Sequence, residues 1–336
     1  MRRSSTTSGA LEDEPTVVLR FGAATAEVAL LGATVLSWFV DLGDGPVDLL
    51  DGYRTAEELR SQRGIRNGIM APFGDRIDDG RYSFEGVEHD LLPGQATRVV
   101  YHGMVRSMPF ALEDVTDGAD AVSATFVCRG LSAEPQPGYP FLVDVQVTYR
   151  LGTASLGVEI VGHNTGATPA PFAVGWHPYF RLPGAATIAG LDLLVPSTVR
   201  VETDPALIPL PGRAAYYRID PAAARWTPIG EAVLDVGFLA GGDHAEPTVL
   251  RDRASGIRLS LTQDTGLVHL FTGDTLDRDR RASIAIEPVV SMTDAFNRPD
   301  CATAIRLEPG ERRAFRATVD VSRLAHTGAV DTGTAD

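Results

Sequence analysis

Between Phe141 and Leu151 the side chains alternate with a period of two. Val143, Val145, Val147 and Tyr149 fall on one face, and Asp144, Gln146, Thr148 and Arg150 on the other. That period belongs to an extended strand with one buried and one wetter face. A second run, Ser155 to Gly162, follows after a short break, so the two read as neighbouring strands. Thr16 to Phe21, Ala26 to Leu31, Thr34 to Asp41, Phe110 to Val115 and Ala121 to Cys128 read the same way, broken by glycine, proline or aspartate. Asp79-Gly80 and Glu85-Gly86 bracket Arg81-Tyr82-Ser83-Phe84, the pattern of a tight hairpin. Helical signal is sparse. Thr55 to Gln62 opens on a threonine with glutamate three positions on, an N-terminal capping pattern, and Ala222-Ala223-Ala224 suggests a short turn of helix. Strands and helices do not alternate regularly, which excludes a doubly wound parallel fold. The expectation is an all-β chain, one large antiparallel domain with few short helices.

Composition narrows the partners. A net charge of −14 over 336 residues disfavours a nucleic-acid or anionic-membrane surface. The chain has no lysine, so arginine supplies all its fixed positive charge, and Schiff-base chemistry and a lysine-anchored phosphate loop are excluded. No dinucleotide fingerprint or fixed-period repeat is present. Cys128 and Cys301 lie far apart without metal-ligand spacing and read as two reduced buried thiols. Met1 to Pro15 lacks the apolar stretch of a secretory or twin-arginine signal, and no apolar run reaches membrane-spanning length. The reading is a cytoplasmic protein, monomer or homodimer, with a disordered segment at 1–14, a single domain over 15–324 and a flexible tail at 325–336.

Five places hold groups suited to chemistry. Gly175-Trp176-His177-Pro178-Tyr179-Phe180 puts a histidine at a strand end among aromatic rings, where it can donate or accept a proton near neutral pH. The alternative is a core histidine satisfied by a backbone carbonyl. Ile284-Ala285-Ile286-Glu287-Pro288-Val289-Val290 carries a glutamate inside an otherwise buried strand, so Glu287 either lines a cavity or pairs with a charge. Arg76, among turn residues, can offer planar donors to hydroxyls, or be a surface arginine paired with Asp75, Asp78 or Asp79. His102 precedes Gly103 in a turn and faces a cleft or solvent. Asp235, inside Leu234-Asp235-Val236-Gly237-Phe238, needs donors or a wet cavity; the alternative is a turn aspartate. If His177 and Glu287 approach, the carboxylate is expected to raise the histidine's pKa and the imidazolium to lower the glutamate's.

These stretches together resemble the aldose 1-epimerase (mutarotase) family. They are PFGDRIDDGRYSFEG at 72–86, HG at 102–103, GWHPYF at 175–180, LDVGF at 234–238 and IEPVVSMTDAFNRPD at 286–300, with LEPGE at 307–311 like the family's closing strand turn. The resemblance implies a large β-sandwich of the galactose mutarotase-like type, with an open cleft for a small-molecule sugar and no cofactor or metal. It implies His177 as general acid at the ring oxygen and Glu287 as general base at the anomeric hydroxyl. Arg76, His102 and Asp235 would hold hydroxyls or the ring-oxygen side. Gln263 is matched to a sugar-contacting glutamine, with His269 competing for that place. One departure is Asp75, where the family commonly has asparagine. A charged acceptor there alters the preferred hydroxyl or neutralises Arg76. Other readings stay open: a hexose 6-phosphate epimerase using Arg63, Arg66 and Arg106, a non-catalytic sugar-binding protein, or a metal held by His102, His177 and Glu287.

Overall fold

The computed structural model describes residues 6–8, 11, 14–96, 98–220, 226–240 and 246–323. Strand dominates, and three short α-helices are present among these residues. The alternating segment forms the strand Val143–Leu151. Its even partner face is wetter, while Val143, Val145, Val147 and Tyr149 are all fully buried. It pairs antiparallel with Ser155–Asn164, from Val143 opposite Asn164 to Leu151 opposite Leu156. Both lie in a nine-stranded sheet that also takes in Val122–Cys128, Arg312–Arg323 and Ile257–Gln263.

A second sheet joins Asp235–Leu239, Leu267–Phe271, Ile284–Val289, Gly175–Trp176 and Ile69–Met70 in that order, with Tyr179–Phe180 also on the Ile284–Val289 strand. A third, five-stranded sheet is built from the first part of the chain. One hydrophobic cluster draws on all three and runs from Val17 to Val321. The Tyr149 hydroxyl donates to the Ala33 carbonyl at 2.8 Å, tying the nine-stranded sheet to the third. The chain is thus an all-β protein of antiparallel sheets, as its periodicity predicts.

Differences of detail have local causes. The expected strand at Ala26 to Leu31 runs instead over Ala24–Ala29, because Gly22, at φ 58°, opens a two-residue turn and lets pairing restart at once. Arg81–Phe84 pairs with Val87–Asp90, the expected hairpin. The capped helix spans Ala56–Ser61, with the Thr55 side chain accepting from the Glu58 amide at 3.1 Å. Within the segment expected to be disordered, Thr6–Ser8 pairs with the strand Pro15–Phe21, so that expectation does not hold for those three residues. The predicted helical turn at Ala222–Ala224 and the tail at 325–336 lie outside the described residues. Both cysteines are free and buried. Among the described residues, no helix is long and apolar enough to cross a membrane.

Candidate active site

Strand register builds the site. In the second sheet Gly237 lies opposite His269, and His269 opposite Glu287. With a period of two, Asp235, His269 and Glu287 therefore share one face, together with Phe271. The next strand brings Trp176, paired with Ile69, and His177 leaves its end. Gly175 packs tightly there: a Cβ would lie 2.6 Å from Val289 Cγ1 and 2.7 Å from Met70 Cε, so a larger residue would have to displace those side chains. The His177 amide donates to Gly68 O at 3.0 Å, and its carbonyl accepts from the Asn67 amide at 2.9 Å. The Asn67 side chain accepts from the Tyr179 amide at 2.8 Å and donates to Val35 O at 3.0 Å. These bonds fix the histidine's direction from both sides.

His177 Nε2 and Glu287 Oε1 are 3.4 Å apart, with both residues buried. The His177 ring stacks on Tyr179, centroids 5.0 Å apart, and meets the His102 ring edge-on at 4.9 Å. His102 sits at φ 59°, its amide donating to Asp75 O at 2.7 Å. Gly103 then packs so closely on the Ala71 backbone that a Cβ would lie 2.1 Å from Ala71 O. Across the sheet face, His269 Nε2 lies 2.7 Å from Asp235 Oδ1 and its Nδ1 3.7 Å from Asp75 Oδ2. Arg76 donates to Asp75 at 2.8 Å and comes within 3.8 Å of Asp235. Asp75 also accepts from the Thr293 hydroxyl.

A cleft of about 730 Å³ opens over these groups, a volume suited to a small ligand. Asp75, Arg76, His102, His177, Asp235, His269 and Glu287 line it, with Tyr101, Tyr179 and Phe271 among its rings. Of the seven residues proposed from sequence, six therefore meet in one place. Gln263 does not. It ends a strand of the nine-stranded sheet, and its amide donates to Thr265 O at 2.7 Å and Leu267 O at 2.9 Å, a turn-closing role away from the cleft. His269, in the following strand Leu267–Phe271, lines the cleft.

Burial decides the protonation of the central pair, against the expectation of an imidazolium facing a carboxylate. It pushes the Glu287 carboxyl up to about 8 despite the opposing pull of His269. It pulls His177 down to about 3. Both side chains are therefore neutral near pH 7, because the low-dielectric floor penalises each charged form. Burial likewise drives His102 well below the usual histidine range, with the charges of neighbouring cations adding to it. His269 is the exception. Burial opposes its charge, but the hydrogen bond to Asp235 and the charges of Asp75 and Glu287 prevail and raise it to about 9.

His102, His177 and Glu287 each offer one ligand atom, all within 4.8 Å of one another, a set that could hold a cation. Of the arginines considered for a phosphate, Arg66 is committed to Asp51 and, through Nη2, to Arg278 O at 3.3 Å. Arg63 meets Glu57 at 3.3 Å. Arg106 lines the cleft.

Residues 15–319 match the sequence model of the family described as aldose 1-epimerase. The chain belongs to the aldose 1-epimerase family. It is thus an enzyme of the carbohydrate epimerase class. An Escherichia coli K12 protein described as "Uncharacterized protein YihR" is 26% identical over 234 residues, 68% of this chain and 71% of that protein. The E. coli K12 aldose 1-epimerase is 28% identical over 155 residues, 46% of this chain and 43% of its own length. Among solved structures, galactose 1-epimerase from Lactobacillus acidophilus NCFM superposes with a TM-score of 0.78 at 16% identity, covering 96% of this chain and 98% of that one. A GalM/aldose epimerase homologue from C. elegans does so with a TM-score of 0.74 at 20% identity, covering 92% and 99%. These aldose 1-epimerase structures share the galactose mutarotase-like fold with this chain.

Proposed function

We propose that the protein interconverts the α and β anomers of a monosaccharide by acid–base ring opening and closure, with His177 and Glu287 moving the protons. The observation that carries this reading is the buried pair itself, 3.4 Å apart at the cleft floor and displaced in pKa so that it holds one proton between about pH 3 and about 8. Transfer of that proton from Glu287 to His177 Nε2 poises the pair. His177 then protonates the ring oxygen, the bond from that oxygen to C1 breaks, and Glu287 takes the proton from the anomeric hydroxyl as the aldehyde forms. The step leaves a neutral imidazole and a carboxylic acid, the forms that burial favours, so ring opening relieves a charge separation held in a dry site. Rotation about C1–C2 and the reverse transfers close the ring on its other face.

Asp235 and Asp75 hold His269 and Arg76 as fixed donors for sugar hydroxyls. The cation set of His102, His177 and Glu287 supports a metal-assisted alternative, and metal analysis of the purified protein separates the two. The test of the proposal is relaxation of optical rotation, or exchange NMR, with freshly dissolved α-glucose and α-galactose. Glu287→Gln, which keeps shape and removes the proton acceptor, is expected to lower kcat by about 10²–10⁴-fold. Wild-type activity undiminished in this variant and in His177→Asn refutes the mechanism.

A further inference from the structure

The acid–base strand and the loop that carries Arg76 are joined just past the end of the Glu287 strand. Ile284–Val289 carries Glu287, and the chain that leaves it grips the segment Asp75 to Asp78. The Thr293 hydroxyl donates to Asp75 Oδ2. The Asp294 amide donates to Arg76 O at 2.8 Å. The Asp294 carboxylate accepts from the Asp78 amide at 2.9 Å and from the Asn297 side chain at 2.7 Å. On the loop side, Asp75 sits at φ 51°, a backbone region that aspartate tolerates better than most residues. Its carbonyl accepts from the His102 amide at 2.7 Å. Its Oδ1 accepts from Arg76 Nη1 at 2.8 Å, and Oδ2, the oxygen that Thr293 holds, lies 3.7 Å from His269 Nδ1.

Thr293 is buried and stands outside the cleft lining. With Asp75 and His269 it borders a separate small cavity of about 20 Å³. A buried carboxylate needs donors at both oxygens, because desolvating its charge without them is costly. Arg76 supplies one donor to Asp75 and Thr293 the other, so the carboxylate is held from two sides. We propose that Thr293 is a positioning residue for sugar binding, acting through Asp75: its hydroxyl fixes the carboxylate that aims Arg76 and fronts His269, the two donors assigned to sugar hydroxyls. Asp75 is then an orienting group, its charge serving Arg76 and His269 rather than a hydroxyl of the sugar. This rests on the anomer-exchange reading and adds to it how the binding donors are set apart from the acid–base pair. Removing the Thr293 hydroxyl therefore falls on affinity rather than on the chemical step.

Exchange NMR with glucose and galactose tests this on wild type, on Thr293→Val, which keeps the shape and removes the hydroxyl, and on Thr293→Ser, which returns it. Loss of one hydrogen bond to a charged group corresponds to about a 10-fold rise in KM, with kcat little changed. Thr293→Ser is expected to restore KM. A fall in kcat at unchanged KM, or a wild-type KM in Thr293→Val, refutes the role. Comparing Asp75→Ala with Asp75→Ala/Thr293→Val separates positioning from simple packing, and neither protein buries a half-satisfied carboxylate at this place. With Asp75 gone, the Thr293 change should leave KM alone, and a KM that still rises refutes action through Asp75. Calorimetric titration of the two sugars into the same proteins reads affinity without turnover. Weaker binding by Thr293→Val, where wild type shows no anomer exchange, upholds the positioning role and refutes the mutarotase reading. Anomer exchange by wild type with equal affinity in the two proteins refutes the positioning role alone.

Discussion

Glu287 is expected to weaken the fold in order to serve the site, and the effect can be read from its pH dependence. The glutamate is 3% exposed, and burial raises its pKa from an ordinary 4.5 to about 8. Between those values the folded chain holds a proton that the unfolded chain releases. Stability contributed by this group is therefore lost as pH rises through that window. At 1.36 kcal/mol per pKa unit, the contribution against folding is about 1 kcal/mol at pH 5 and about 4 kcal/mol at pH 8. Glu287→Gln abolishes the titration while keeping a side chain of the same shape, whose amide can donate to His177 Nε2. Equilibrium urea unfolding of wild type and variant at pH 5 and pH 8 measures the difference directly. The variant should gain about 3 kcal/mol on wild type over that interval, even as it loses turnover. A stability difference that does not change with pH would mean that Glu287 ionises normally in the folded protein, and the neutral-pair argument would fall.

Two further outcomes follow from the same electrostatics. Activity should be bell-shaped in pH, declining above about 8 as Glu287 gives up the pair's proton and below about 3 as His177 takes a second one. A rate that keeps rising through pH 8 would show that the ionised glutamate is the resting catalytic form. Asp235→Asn should lower the His269 pKa from about 9, since the Asp235 hydrogen bond is the largest influence raising it. NMR titration of the His269 ring checks this, and a midpoint that stays near 9 would assign the shift to Asp75 and Glu287 instead.

Much of the fold was visible in short-range pattern. The alternation of Val143, Val145, Val147 and Tyr149 specifies a one-sided strand, since a period of two fits no helix. Glu287 announced itself by interrupting an apolar run, as a carboxylate there must face a cavity or a partner. His102 was visible through Gly103, whose close approach to Ala71 O admits no side chain. Gln263 was misplaced for a reason that local sequence does not reveal. Its strand, Ile257–Gln263, and the strand of His269, Leu267–Phe271, are separated by one short turn but belong to different sheets. His269 entered the sequence reading only as a competitor for the place of Gln263, and its register opposite both Gly237 and Glu287 is what puts it on the cleft face.

What the sequence by itself determined was most strands of the first half of the chain, the family, and the two residues with acid–base capacity. Each of these is written in residue type and spacing over a few positions. The tertiary structure alone decided which face each strand turns to the cleft, that Arg66 is consumed by Asp51 while Arg106 is left unmatched, and the sign of the pKa shifts. Pairing between distant strands sets the first two. Desolvation sets the third: once His177 and Glu287 share a buried floor, loss of water outweighs their attraction, and both are driven to the neutral form.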